Sequence, residues 1–251
     1  MRLELRDNEI VTMVKEIRSQ APGLGAYKLF VMLKDIFGVS MPGRDRFYAL
    51  MHDNGLMLKP ERRRHTTNSN HSYRKYTNLV KDFRPERINS LWVADITYID
   101  TDDGVVYLHL LTDAFTHEII GCRLSDTLTA VNTLNALEDG IRLAGNWGTS
   151  GLIHHSDRGV QYCSRAYVDR LASINASISM TEDYNPTDNA VAERINGIIK
   201  QEWLYRMKRP CNMEDAENIL RKIILFYNGR RPHRNNPDMM PPSIFRKVLT
   251  S

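Results

Sequence analysis

Three stretches of hydrophobic periodicity near the N-terminus predict three short helices. Residues 7–19 and 26–37 carry apolar side chains every three to four positions, as helices with one buried face do. Gly38 is a typical C-terminal stop, Ser40 a suitable N-cap for a third helix, and Gly55 its end. The side chains predicted to be buried are Ile10, Met13, Val14, Ile17, Leu29, Phe30, Leu33, Phe37, Phe47, Leu50 and Met51.

From Leu91 the pattern changes to that of strands. Leu91–Ile99, Val105–Thr112 and Glu118–Leu124 are rich in β-branched and aromatic residues, which predicts an antiparallel meander. The later segments are predicted as a helix at Leu128–Leu143, a strand at Gly151–His155, a helix at 164–174, a strand at Ile178–Met180, and helices at 189–206 and 213–228. This order predicts an α/β fold in which helices cover a mixed five-stranded sheet.

The same pattern divides the chain into four predicted regions. They are a helical, helix-turn-helix-like region at 1–58, a basic linker at 59–87, a core at 88–228 and a basic C-terminal tail at 229–251. Arg44 and Arg46 lie near the start of the third predicted helix, where such a motif contacts DNA. A small helical bundle with a solvated basic face is the alternative interpretation.

Composition excludes several classes of protein. The 42% hydrophobic and 25% charged shares are typical of a globular domain, and no apolar run approaches the roughly 20 residues that span a membrane. The N-terminus lacks an apolar signal core, so export is not expected. Three widely spaced cysteines argue for a reducing compartment and against a cysteine zinc site. We therefore expect a protein of a reducing compartment, the cytoplasm.

Charge is distributed very unevenly along the chain. Lysine, arginine, aspartate and glutamate give +7 over residues 1–90, −10 over 91–193 and +7 over 194–251. Cations can neutralise an acidic centre, and a phosphate backbone can neutralise basic flanks. The charge pattern therefore favours a polynucleotide as the partner.

Three acidic residues are the candidate catalytic residues. Asp95 lies in a predicted strand, Asp157 follows another, and Glu193 lies on a predicted helix, with 61 and 35 residues between them. Carboxylates on three rigid elements are what a site for two divalent cations needs, and such sites perform in-line phosphoryl chemistry.

The residues around these acids resemble the catalytic core of DDE transposases and retroviral-type integrases. The segments that carry the resemblance are Trp92-Val93-Ala94-Asp95-Ile96-Thr97-Tyr98, His154-His155-Ser156-Asp157-Arg158-Gly159-Val160-Gln161-Tyr162, Asp188-Asn189-Ala190-Val191-Ala192-Glu193 and Tyr227-Asn228-Gly229-Arg230-Arg231-Pro232-His233. Together they resemble bacterial insertion-sequence transposases of the "IS-three" group, as the product of the downstream frame. The resemblance implies a ribonuclease-H-like fold for 88–228.

The resemblance also implies a mechanism and partners. A strand is cleaved at an insertion-sequence end, and the resulting 3′-OH is transferred to another phosphodiester. Asp95 would bridge two Mg²⁺ ions, with Asp157 on one and Glu193 on the other, and Mn²⁺ would be able to substitute. The partners implied are element-end and target DNA, further copies of the chain on that DNA, and an upstream helix-turn-helix/leucine-zipper product joined by frameshifting. The location implied is the bacterial cytoplasm, in association with the nucleoid.

Several further residues are candidate DNA contacts, each with a structural alternative. Lys200 lies two helical turns after Glu193, on the same predicted face. Asn189 could touch DNA, orient the carboxylate or cap the helix, and Arg158 could hold a phosphate or pair with an acid. Arg231 and His233 could clamp DNA or simply pack.

Two other functions remain open at this point. A hydrolytic ribonuclease-H-like nuclease would have the same three acids but would cleave without joining. A non-catalytic DNA-binding regulator or domesticated fragment would keep the basic flanks without needing the acids.

Overall fold

The computed structural model of the protein describes residues 2–59, 76–182 and 189–251. Part of the predicted linker, 60–75, and the loop residues 183–188, including Asp188 of the third motif, lie outside the described residues. Within the described residues, none of the helices combines the length and the apolar character needed to cross a membrane.

Three helices begin the chain, as predicted. They are α1 (Arg2–Gln20), α2 (Ala26–Phe37) and α3 (Arg44–Asp53). The bounds of α2 match the prediction, and Gly38 ends it with a φ of 52°, a conformation that glycine adopts without strain. Of the predicted core positions, Met13, Phe30, Phe37 and Leu50 are only partly buried, and the others are buried.

The predicted start of the third helix at Ser40 is wrong. Gly38–Ser40 forms a short 3₁₀ turn, and α3 starts four residues later, after Gly43. Met41 between them is extended, with φ −66° and ψ 130°. The ring of Pro42 disfavours helical geometry in the residue before it, so the helix cannot run through Met41.

The predicted mixed five-stranded sheet is confirmed. Its strands are β1 (Leu91–Thr101), β2 (Gly104–Asp113), β3 (Ile119–Ser125), β4 (Ile153–Ser156) and β5 (Ser177–Met180), in the spatial order β3-β2-β1-β4-β5. The first three strands form the antiparallel meander, whereas β4 and β5 run parallel to β1. The central strand β1 therefore pairs antiparallel with β2 along one edge and parallel with β4 along the other.

Five more helices flank the sheet. They are α4 (Ala130–Ala144), α5 (Arg165–Ser173), α6 (Ala190–Ile199), α7 (Met213–Gly229) and α8 (Pro242–Thr250). Leu137 of α4 and Leu171 of α5 share one hydrophobic core with Trp92 and Leu111 of the sheet. The second core contains residues of α6 and α7 and also those of α1, α2 and α3. The N-terminal helices and the sheet are thus joined by a continuous core.

The predicted helix at 189–206 is interrupted. α6 ends at Ile199 and continues as a π-helical turn, Lys200–Leu204. The N-terminal region binds this turn: the indole of Trp203 donates to the Gln20 carbonyl at 2.9 Å, and the Gly23 amide donates to the Glu202 carbonyl at 2.7 Å. A side chain on Gly23 would clash, because its Cβ would lie 2.5 Å from the Glu202 Cα. Tertiary contacts therefore override the local helical pattern.

Residues 229–251, predicted as a basic tail, contain α8. Phe245 and Arg246 of this helix are buried, and the Arg246 guanidinium pairs with the carboxylates of Glu118 and Asp113. The segment is therefore folded onto the end of the meander.

Candidate active site

The sheet register places the first two acids side by side. Ala94 of β1 is aligned with Ser156 of the parallel neighbour β4. Asp95 and Asp157 each follow this aligned pair directly, so they lie at the same level on adjacent strands. Glu193 lies in the first turn of α6, which packs against β1.

Two N–H donors fix the carboxylate of Asp95. The side-chain amide of Asn196 donates to Oδ2 at 2.6 Å, and the backbone amide of Ile96 donates to Oδ1 at 2.9 Å. Asn196 lies three residues after Glu193 and therefore on the same face of α6. One helix thus supplies both the third acid and the group that orients the first.

The three acids interact electrostatically. Burial, followed by repulsion from Asp157, raises the pKa of Asp95 to about 7. The hydrogen bonds from Asn196 and Ile96 lower this pKa, and Glu193 adds a smaller upward contribution. A carboxylate whose ionisation is opposed by burial and by two neighbouring acids is stabilised by a nearby cation.

The donor chemistry fits a hard divalent cation, although the acids do not form a closed cluster. Within residues 2–59, 76–182 and 189–251, no three histidine, cysteine, aspartate or glutamate side chains converge closely enough to hold a metal ion. The oxygen donors and the excess negative charge nevertheless match what Mg²⁺ requires. Asn196 Oδ1, beside Asp95, is also buried without a hydrogen-bond partner among the described residues. The site therefore offers oxygen ligands that a bound cation would stabilise.

The loop after β4 is held tightly around Asp157. The Gly159 amide donates to Asp157 Oδ1 at 2.9 Å, and a Cβ on Gly159 would lie only 3.0 Å from that oxygen. His155 bonds through Nδ1 to the Ser179 hydroxyl at 2.8 Å, and His154 through Nε2 to the Tyr167 hydroxyl at 2.8 Å. Burial lowers the pKa of His154 to about 3, so this ring is neutral. The two histidines support the strand that leads to Asp157.

Asn189 and Lys200 flank the acids on either end of α6. Asn189 is at the N-cap position, but its amide donates across to the Ala94 carbonyl of β1 at 3.1 Å instead of capping its own helix. The Lys200 ammonium lies 4.2 Å from the centre of the Tyr98 ring. Burial lowers the pKa of Lys200, while Tyr98, Asp95 and Asp100 raise it. Lys200 is therefore close enough to Asp95 to interact with its charge.

The other predicted DNA contacts are placed in different environments. Arg158 is half-buried beside Asp157. Arg44 and Arg46 are exposed on α3, where Arg46 pairs with Asp7 at 2.9 Å. Their exposure leaves both arginines accessible to a ligand.

Arg231 and His233 are buried, and the DNA contacts predicted for them stay predictions. The Arg231 guanidinium forms two 2.8 Å bonds to the Glu202 carboxylate and is 3% exposed. The His233 ring stacks on His117 with 4.1 Å between ring centres. The structure therefore gives both residues packing roles between the C-terminal segment and the rest of the fold.

Comparison with known proteins places this architecture in a class. The integrase core domain family matches residues 85–186 and, in a second part, 175–241. The solved structure of the HTLV-2 integrase catalytic core domain in complex with magnesium superposes with a TM-score of 0.50 at 20% identity, covering 64% of this chain and 99% of that one. The fold and the family match define a ribonuclease-H-like polynucleotidyl transferase with an integrase core.

Similarity to curated proteins identifies a particular family within this class. A 31 kDa protein of insertion element IS600 from Shigella sonnei is 36% identical over 210 residues, covering 82% of this chain and 75% of the relative. A putative transposase for IS986/IS6110 from Mycobacterium tuberculosis is 32% identical over 246 residues, covering 96% and 88%. The chain belongs to the transposases of bacterial insertion sequences. It is a DNA transposase by function, and its integrase core implies dependence on a divalent metal ion.

Sequence reasoning missed Asn196. Its spacing of three residues from Glu193 would have placed it on the catalytic face of the helix. No sequence signal, however, indicated that the amide would reach across to Asp95.

Proposed function

We propose that Asp95, Asp157 and Glu193 are the catalytic and metal-binding residues of this transposase. The observation that carries the proposal is the arrangement of these acids: Asp95 and Asp157 directly follow an aligned pair of residues on β1 and β4, and Asn196, on the helix of Glu193, donates to the Asp95 carboxylate at 2.6 Å. A catalytic centre that binds cations and phosphates needs such an accumulation of oriented carboxylates.

The ligand assignment follows from where the acids are anchored. Asp95 lies on the central strand β1, which pairs with the strand before Asp157 and packs against the helix of Glu193, so it would be the shared ligand, with Asp157 holding one Mg²⁺ and Glu193 the other. Mn²⁺ is able to take the same oxygen ligands. When bound, the two cations activate the attacking oxygen and stabilise the leaving oxygen.

The reaction consists of two displacements at phosphorus. In the first, the oxygen of water forms a bond to phosphorus at the element end, the bond to the 3′ oxygen breaks, and that oxygen takes up a proton to become a 3′-OH. In the second, this 3′ oxygen loses its proton and bonds to another phosphodiester, which releases its own 3′ oxygen. The second step exchanges one phosphodiester bond for another, so no external energy source is needed.

The chain's own residues position the DNA in this scheme. Lys200, held over Tyr98 and near Asp95, places an ammonium beside the reacting phosphate. Arg158 lies next to Asp157 and can hold a neighbouring phosphate, and Asn189 fixes α6 to β1. Arg44 and Arg46 on α3 contact DNA away from the reacting bond.

The assembly is part of the proposal. Because transposition holds two element ends together, we propose that several copies of the chain act together on DNA. We also propose that an upstream helix-turn-helix/leucine-zipper product can be joined to this chain by frameshifting, which a slippery site in an overlapping upstream frame would support.

A strand-transfer assay tests the catalytic assignment. Labelled element-end duplex is incubated with target DNA and Mg²⁺, using wild type, Asp95→Asn, Asp157→Asn and Glu193→Gln. Asp169→Asn on α5, whose carboxylate is 68% exposed, is the matched control. We expect joined product only with wild type and the control. Cleavage without joining would indicate the nuclease, and binding without chemistry the regulator.

A further inference from the structure

A basic cavity of about 670 Å³ lies between the first turns of α2 and α6 and the segment after α7. Its polar lining includes Tyr27, Lys28, Arg194, Arg231, His233 and Arg234. These residues come from three separate parts of the sequence, so no single sequence motif indicates the cavity.

The cavity holds more positive charge than its surroundings neutralise. Burial lowers the pKa of Lys28, and Arg231 and Arg194 lower it further, whereas Glu202 raises it. Glu202 accepts hydrogen bonds from Lys28 at 2.6 Å and from Arg231 at 2.8 Å. The single carboxylate of Glu202 therefore pairs with two of the four cationic side chains of the lining.

The remaining two cations have no such partner. Arg194 and Arg234 are both exposed, and neither forms an ion pair with a carboxylate in the described parts of the chain. Their guanidinium groups are therefore available to an anion that enters the cavity.

Two uncharged features of the lining also suit an anion. The N-cap residue of α2, Gly25, provides no side-chain cap, and Gly25, Ala26 and Tyr27 all line the cavity, so the positive end of the helix faces it. The buried Nδ1 of His233 has no hydrogen-bond partner among the described residues. This nitrogen is an unused polar group in the wall of the cavity.

A second cavity of about 920 Å³ continues the first toward α3. It is lined by Arg44, Asp45, Tyr48 and Met239, and it shares Tyr27, Arg234 and Asn235 with the first cavity. The Arg234 guanidinium lies 5.5 Å from the centre of the Tyr27 ring, at the junction of the two cavities. Together they form one cleft from the start of α3 to the first turn of α6, where Arg194 directly follows Glu193.

We propose that this cleft binds consecutive backbone phosphates of DNA and leads the strand from α3 to the catalytic helix. The inference rests on the proposed function, because that function makes DNA the ligand of this protein. A single small anion would fill one cavity, whereas two connected cavities with a net positive lining match an extended polyanion such as the phosphate backbone of DNA. Arg194 and Arg234 hold the phosphates, and Tyr27 contacts the sugar or base between them.

Equilibrium DNA binding tests the cleft separately from catalysis. Fluorescence anisotropy with labelled element-end duplex is measured from low to moderate salt for wild type and the double variant Arg194→Gln/Arg234→Gln. The control is Arg221→Gln, an exposed arginine on α7 outside the cleft. All the substituted arginines are exposed, so the fold should persist, which circular dichroism checks.

The double variant should bind DNA on the order of tenfold more weakly, and the slope of log affinity against log salt should fall by about 1.8, since each lost phosphate contact removes about 0.9. The control should bind as wild type does. If the double variant keeps the wild-type affinity and salt slope, the inference that the cleft binds DNA is wrong, even if Asp95→Asn abolishes strand transfer as proposed. Inorganic phosphate that competes with DNA only at high ionic strength would agree with the cleft. A saturable phosphate site whose loss leaves DNA binding unchanged would contradict it.

Discussion

The side-chain amide of Asn196 donates a 2.6 Å hydrogen bond to Asp95 Oδ2, which joins the helix that carries the third acid to the strand that carries the first. A second amide on the same helix, that of Asn189, bonds to the backbone carbonyl of Ala94, the residue before Asp95. Two asparagines seven residues apart therefore fix the position of α6 over β1. The spacing between Glu193 and Asp95 depends on both.

Replacement of Asn196 by alanine should reduce strand transfer by about 10- to 100-fold, the range typical when a group that orients a metal ligand is lost. The amide holds one oxygen of Asp95, so its removal frees the carboxylate to rotate. The measurement is strand transfer as a function of Mg²⁺ concentration. We expect the concentration required for half-maximal activity to rise.

The control for this substitution is Asn218→Ala, which removes an exposed asparagine from α7. It should leave both activity and the Mg²⁺ requirement unchanged. If Asn196→Ala lowers thermal stability but leaves the Mg²⁺ requirement as in wild type, Asn196 is a packing residue and does not position Asp95.

Asp95→Asn should stabilise the protein when divalent cations are removed. Burial and the neighbouring acids raise the pKa of Asp95 from 3.8 to about 7, so the folded state resists ionisation that the unfolded state permits. The penalty grows as pH rises from about 4 and is complete above pH 7, where it amounts to a few kcal/mol. The asparagine variant escapes this penalty.

Urea denaturation in EDTA at pH 5 and pH 8 measures the effect. The gain in the free energy of unfolding of Asp95→Asn over wild type should be larger at pH 8, and Mg²⁺ should stabilise wild type more than the variant. Asp169→Asn should show no such gain. An equal gain at both pH values would mean that repulsion among the acids does not oppose folding.

The sequence predicted the elements that depend on local pattern and on motifs. The bounds of α2 and the antiparallel meander follow from alternation and punctuation within each segment, and Asp95 and Asp157 were predicted from the residues around them. The π-helical turn after Ile199 could not be predicted, because contacts from Gln20 and Gly23 impose it. The burial of Arg231 depends in the same way on Glu202, a residue distant in sequence.

The basic cleft was beyond sequence reasoning for the same physical reason. Arg194 and Arg234 are 40 positions apart in the sequence and belong to different predicted regions. Only the packing of the N-terminal helices against α6 and the C-terminal segment brings their charges together. A charge count along the chain detects the basic flanks but not the concave surface that they share.

Acidification should destabilise the protein through its buried histidines. Burial lowers the pKa of His109 to about 4 and that of His154 to about 3, so both stay neutral in the folded state while the unfolded chain binds protons below pH 6.5. Stability is therefore present above pH 6.5 and lost as pH falls. Each ring should cost about 2 kcal/mol between pH 7 and pH 5.

His109→Gln tests the contribution of one ring. Glutamine retains hydrogen-bonding capacity toward Thr133 and Ser125, the partners of His109, but does not titrate. The slope of the unfolding free energy against pH should fall by about one proton relative to wild type between pH 6 and pH 5. His52→Gln on the exposed end of α3 is the control and should keep the wild-type slope. An unchanged slope in His109→Gln would show that this ring is protonated in the folded state.

Arg246→Met should destabilise the fold by roughly 3–5 kcal/mol, because it leaves two buried carboxylates without their cation. Arg246 is 8% exposed and pairs with Glu118 and, at 3.3 Å, with Asp113. Burial raises the pKa of Glu118, and Arg246 is the first of the groups that lower it. Loss of the guanidinium should therefore weaken the attachment of α8 and leave the carboxylates of Glu118 and Asp113 buried without a cation.

A double-variant cycle separates the ion pair from simple packing. Glu118→Gln added to Arg246→Met removes one of the stranded charges, so the double variant should recover part of the lost free energy of unfolding in urea. Lys247→Met, which replaces the exposed neighbour on the same helix, should change stability by less than about 0.5 kcal/mol. If the two substitutions are instead additive, the Arg246 guanidinium and the Glu118 carboxylate are not coupled, and α8 is held by Phe245 and its apolar contacts alone.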